Sequence, residues 1–164
     1  MKRNLILLIT ILLTTTTLAA AKKPVATKVL PPKNSIPCQI LAAKNTCWNK
    51  YTVNISYQDA ISQKEFQKFS IAKDKSHTTV KFNCIKNAGR MFVSNFTPEI
   101  WQGDVHRRFH SKKVWQVPNT VPDDKDFYEI RICFPDDFQG VPIPMGYLEN
   151  CKCQYPKVAK KKSS

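Results

Sequence analysis

Period-two alternation of apolar and polar residues dominates this chain. Val53, Ile55 and Tyr57 alternate with Thr52, Asn54, Ser56 and Gln58, and the same odd-numbered face reaches back through Tyr51 to Cys47. Val80, Phe82 and Cys84 alternate with Thr79, Lys81 and Asn83, and Tyr128, Ile130, Ile132 and Phe134 with Glu129, Arg131 and Cys133. Successive side chains of a strand point to opposite faces, so each run predicts a strand with one face buried. Weaker strands are predicted at 38–43, 66–72, 90–96 and 113–117. The stretch Asp59 to Phe69 settles on neither period, and Thr97-Pro98-Glu99 has the cap and first-turn chemistry of a single helical turn.

About seven short strands separated by turn signals predict an all-β, two-sheet sandwich, with an immunoglobulin-like arrangement preferred over a small barrel. Only four glycines are present, so the turns must draw on Pro, Asn, Asp and Lys, as in Val-Pro-Asp-Asp at 121–124 and Phe-Pro-Asp-Asp at 134–137. Fold class alone assigns no activity.

The ends depart from this pattern. Residues 1–21 read as a positive start (Lys2, Arg3), an apolar run from Leu5 interrupted by Thr10, four threonines and Ala19-Ala20-Ala21. That is the layout of a cleaved secretory signal, and the run is shorter than the roughly 20 apolar residues a spanning helix needs. Cleavage after Ala21 would leave 143 residues, enough for one domain with a core of its own. Residues 22–36, with Pro24, Pro31, Pro32 and scattered lysines, predict a disordered linker, and 157–164 a basic disordered tail. The folded domain is expected at 37–156.

Location also reinterprets the charge. The formal net charge is +14, yet between Asn34 and Pro156 there are 16 basic and 12 acidic side chains, a net of +4. Most of the excess lies on the ends, where it would favour nonspecific attraction to anionic surfaces over sequence-specific nucleic-acid binding. Nothing after the leader is apolar enough to cross a membrane as a helix.

Six cysteines, Cys38, Cys47, Cys84, Cys133, Cys151 and Cys153, all follow the leader, and in an oxidising compartment they predict disulfides. Cys151 and Cys153 are too close in sequence to bridge each other without strain, which leaves twelve of the fifteen pairings open. Zinc or copper ligation by Cys-x-Cys is the alternative; an exported chain favours structural bridges, with no metal or cofactor.

One run stands out as candidate chemistry: His106, Arg107, Arg108, His110, Lys112 and Lys113, flanked by Trp101 and Trp115. Guanidinium forks suit phosphate, sulfate or carboxylate, and imidazoles would strengthen anion binding at low pH. The plainer reading is a hydrated connection with Phe109 tucked inward. Two histidines four apart would share a helix face for zinc, but the surrounding cations oppose it. The same two could serve as acid and base of a small secreted nuclease, without a supporting motif. Asp123, Asp124 and Asp126 lack the spacing of a calcium loop and read as an acidic turn.

Asn54-Ile55-Ser56 and Asn95-Phe96-Thr97 are formal glycosylation acceptors, relevant only in a eukaryotic pathway. The sequence thus predicts an exported, noncatalytic binding or structural protein. Its partner would be a protein or an anionic surface; a secreted hydrolase, or an inhibitor or effector, is the alternative.

Overall fold

The computed structural model describes residues 33–147 and 150–156. The expected signal peptide (1–21), most of the linker and the tail (157–164) lie outside the described residues. The described chain is all-β and forms two sheets. Its strands are β1 (Ser35–Lys44), β2 (Thr52–Asp59), β3 (Glu65–Ile71), β4 (His77–Ile85), β5 (Gly89–Thr97), β6 (Phe109–His110), β7 (Trp115–Gln116) and β8 (Tyr128–Phe134). One sheet has the order β4-β1-β8; the other runs β3-β2-β5-β6, with β7 also pairing β5. Among the described residues no helix is long and apolar enough to cross a membrane.

The strong period-two runs became strands whose apolar positions face the core, while Gln58 and Cys133 on the opposite faces are buried as well. Val53, Ile55 and Tyr57 of β2 are buried, as are Phe92 and Phe96 of β5 and Ile130, Ile132 and Phe134 of β8. Ile36, Cys38, Ile40 and Ala42 of β1 join them, and these inward faces form one core between the sheets. β1 is antiparallel to β4 but parallel to β8, with Ile40 beside Ile130 and Ala42 beside Ile132. A parallel neighbour needs a long connection, and here the whole of the second sheet intervenes between β1 and β8.

Local expectations differ at three places. β1 takes in Ser35 and Ile36, the last two positions of the expected linker. The β2 pattern does not extend back to Cys47, because Thr46–Trp48 forms a 3-10 turn in which Asn45 Oδ1 accepts from Cys47 N at 3.0 Å. Thr97 is the last residue of β5 rather than the start of a helical turn; the 3-10 turn lies at Asp104–His106.

Three disulfides join Cys38 to Cys84, Cys47 to Cys151 and Cys133 to Cys153, consistent with an oxidising environment. The first links neighbouring strands inside the core. The other two fasten the segment at 150–156, with Cys151 and Cys153 each paired elsewhere, as their spacing required. Hydrogen bonds add to this fastening: the Asn45 side-chain Nδ2 donates to Cys151 O at 2.9 Å and Thr46 N to Lys152 O at 3.3 Å. Tyr155 lies under Arg131, 5.7 Å from guanidinium carbon to ring centre.

Lys44 ends β1 fully buried, an unusual place for an ammonium. Its Nζ donates to the carbonyls of Tyr51 at 2.5 Å, Ala72 at 2.9 Å and Asn49 at 3.4 Å, so one cation ties β1 to two turns. Burial pushes its pKa down to about 8, against a smaller upward pull from Asp74. The sign of the resulting pH dependence follows from proton counting. Between pH 8 and the unfolded value of 10.5 the unfolded chain holds more protons, so deprotonation favours the fold and the contribution rises with pH. Tyr57 and Tyr155, both pushed up to about 12 chiefly by burial, act oppositely above pH 10. Urea midpoints should therefore climb from pH 8 to 10 in the native protein, and Lys44→Met should flatten that climb. An unchanged slope in the variant would assign the titration to another group.

Candidate functional site

The outward face of the larger sheet is polar because its strands alternate. In β2 the inward positions are odd, which leaves Asn54, Ser56 and Gln58 on the other face. Cross-strand pairing aligns Ser70 of β3 with Asn54, and Asn54 with Asn95 of β5. The next row aligns Lys68, Ser56 and Val93, and β6 places His110 beside Val93.

Phe109 fixes the orientation of β6. Its side chain is buried and stacks on Phe96, ring centres 5.6 Å apart and nearly parallel. Arg108 and His110 therefore point outward, with Arg108 at the level of Asn95. The result is a groove of about 430 Å³ lined by Asn54, Ser56, Lys68, Ser70, Asn95 and Arg108, among others. Its volume falls in the usual range for small-molecule sites.

Charge and hydrogen bonding inside the groove are uneven. Asn54 Nδ2 donates to Asn95 Oδ1 at 3.0 Å, so two amides bridge the centre of the floor. Lys68 is held by Glu65, 2.9 Å from ammonium to carboxylate. Arg108 is exposed and makes no hydrogen bond or ion pair among the described residues. The lining thus holds one cation with a carboxylate beside it and one without, among the described residues.

The basic run is divided among different tasks. His106 closes the 3-10 turn and is exposed; that turn follows Gly103, whose φ of +91° suits a residue without Cβ. Arg107 is extended, pairs with buried Asp104 at 3.1 Å and covers the Phe109 ring at 5.4 Å. Asp104 also accepts from Trp101 N at 2.8 Å, so this ion pair belongs to the turn. Lys112 Nζ donates to Asp136 O at 2.5 Å, and Lys113 lies 4.7 Å from the centre of the Trp115 ring. Since residues 107–110 are extended, the four-residue spacing of His106 and His110 is not a helical one. Of the six candidates, the described geometry places only Arg108 in the groove lining, with His110 in the adjoining row.

Asn54, Ser56, Lys68, Ser70 and Asn95 carry no binding signal in the sequence. Two of them stand out only as glycosylation acceptors, and nothing local tells that these two motifs face each other across β2 and β5.

Cys133, Asp136 and Cys153 are the group whose potential ligand atoms lie within 4.8 Å of one another. Their two sulfurs are bonded together as a disulfide, which leaves no thiolate for a metal. Burial raises the Asp136 carboxyl above its ordinary value, reinforced by neighbouring Asp137 and opposed by Asn45 and Lys112. No family model, curated protein or solved structure matches the chain.

Proposed function

We propose that the chain is an exported, noncatalytic binding protein that takes a small anionic ligand in the groove of the larger sheet. The carrying observation is Arg108, an exposed guanidinium without a hydrogen-bond or ion-pair partner among the described residues, at one end of a preformed polar groove. A guanidinium at the entry to a short strand offers a planar fork for carboxylate, sulfate or phosphate. His110 in the adjoining row would add to the attraction when protonated. Export after Ala21, to the periplasm or extracellular space, is supported by the leader and by three disulfides. The immunoglobulin-like version of the fold is supported by two facing, mainly antiparallel sheets, although Cys38–Cys84 joins strands of one sheet rather than bridging two.

Amide and side-chain NMR during titration with galacturonate tests this directly. The expected shifts centre on Asn54, Asn95 and Arg108, and Arg108→Ala should weaken binding about tenfold or more, whereas Arg107→Ala should change it less than about twofold. Shifts confined to residues 157–164 would reduce the protein to one with adhesive ends. The hydrolase reading makes a different demand: phosphodiester cleavage lost on both His106→Ala and His110→Ala.

A further inference from the structure

We infer that the groove's ligand is an acidic oligosaccharide of the uronate type, about three rings long, lying across the strands with one carboxylate on Arg108. This rests on the groove being the binding site and goes further by naming what fills it. The floor determines the chemistry first. β2 is paired on both sides, by β3 and β5, and β5 by β2 and β6. The backbone of β2 is engaged in the sheet on both sides, so a peptide cannot join as an added strand over the centre of the floor. Polar groups of the ligand must be met by side chains.

Those side chains are hydroxyls and amides: Ser56, Ser70, Asn54 and Asn95. Each hydroxyl, and each amide taken whole, both donates and accepts. Sugar hydroxyls have that same dual character and come closely spaced. A phosphate or sulfate, by contrast, offers acceptors alone and would leave the acceptor half of this floor unused. The Asn54–Asn95 bridge holds both amides in register before any ligand arrives, which lowers the ordering cost of binding.

Length and charge follow from the sheet. Ser70, Asn54 and Asn95 lie in one row across three strands, and Arg108, the residue just before β6, lines the groove beyond Asn95; three spacings of about 4.8 Å then put Arg108 roughly 14 Å from the Ser70 column. At ~5 Å per pyranose ring this spans about three rings, and a single sugar acid would use only the Arg108 end. Lys68 is largely exposed and shares its charge with Glu65 at 2.9 Å, whereas Arg108 has no such carboxylate among the described residues, so the carboxylate contact at Arg108 is expected to dominate. The other acid groups would face solvent.

Calorimetric titration of the full chain with galacturonate, its dimer and its trimer, and with neutral maltotriose, tests the assignment. The trimer should bind about tenfold or more tighter than the monomer and than maltotriose. Arg108→Ala should abolish the preference for the acidic trimer over the neutral one. Asn54→Ala should weaken the trimer about fivefold or more and leave the monomer within about twofold. Equal affinities for monomer and trimer, or no binding of the trimer at millimolar concentration, would overturn the oligosaccharide. If the monomer's affinity survives Arg108→Ala, the groove itself is not the site, a result distinct from the first. Since all these side chains are exposed or half-exposed, unchanged thermal unfolding will show that the variants remain folded.

Discussion

Trp48→Ala should cost about 3–5 kcal/mol of folding stability, the range for truncating a fully buried aromatic. Trp48 is completely inaccessible and sits where the two sheets and the 3-10 turn meet. Its ring lies 4.7 Å from Phe134, 4.8 Å from Phe96 and 5.0 Å from Tyr51, the first two edge-on. Phe134 belongs to β8 and Phe96 to β5, so one side chain joins the smaller sheet to the larger. Alanine would open a void among rings that are themselves braced by neighbours and cannot readily collapse into it. A second substitution separates volume from polarity. Trp48 Nε1 is buried with no hydrogen-bond partner among the described residues, so phenylalanine removes an unsatisfied donor along with part of the ring. Trp48→Phe should then cost only about 1–2 kcal/mol, less than its lost volume alone would suggest. Urea unfolding of both variants checks this; equal losses for Phe and Ala would mean the indole N–H has an acceptor that matters.

The sequence carried the strands more readily than their arrangement, and the reason is visible in particular residues. Along β2 and β8 the apolar residues alternate because one face of each strand lies in the core, a local consequence of the pleat, although Gln58 and Cys133 on the opposite faces are also covered. The two-residue β6 has no such signal: Phe109 is a single apolar position inside six basic or imidazole side chains. Its burial is what turns Arg108 outward. Pairing of β1 with β8, almost the length of the domain away, depends on contacts that no window of sequence contains. The same holds for the groove, whose Ser70, Asn54 and Asn95 come from three strands aligned by register and whose Arg108 immediately precedes β6. Local composition also misjudged the basic run, treating as one cluster what the fold assigns to several partners. Asp104, Phe109 and Trp115, within three residues of Arg107 or Lys113, were the partners within reach of sequence reasoning. The exclusion of a Cys151–Cys153 bridge was a local geometric argument, and it agrees with the fold; choosing among the remaining pairings required the fold.

Arg90 presents the second large effect, and it arises from a charge that the period-two pattern of β5 hides. The side chain is almost wholly buried, at a position where alternation predicts only another inward residue. Its guanidinium pairs through Nη1 with the Asp59 carboxylate and donates to Gly89 O at 3.2 Å. It also lies over the Phe66 ring at 4.5 Å and the Tyr57 ring at 5.9 Å. Asp59 is itself anchored, since its Oδ1 accepts from Ser62 N at 2.9 Å, Ile61 N at 3.1 Å and Ser62 Oγ at 3.1 Å. These donors hold the Asp59 carboxyl down to about 2, with Arg90 contributing less. Removing the guanidinium leaves a carboxylate facing the gap, as in other broken buried pairs, but Asp59 retains water and its turn donors. Arg90→Ala should therefore destabilise by about 2–4 kcal/mol, below the full range for a pair sealed from solvent. Arg90→Lys should recover less than half of that, because an ammonium has neither the flat face that covers Phe66 nor the fork. The pH dependence separates the two ends of the pair. A depressed carboxyl stabilises the fold above its unfolded value of 3.8 and loses that contribution as pH falls toward 2. Arg90→Ala should keep most of this acid loss, since the Ser62 and Ile61 amides are its main cause, whereas Asp59→Asn should remove it. Should Arg90→Ala abolish the acid loss instead, the ion pair rather than the turn would be what keeps Asp59 ionised.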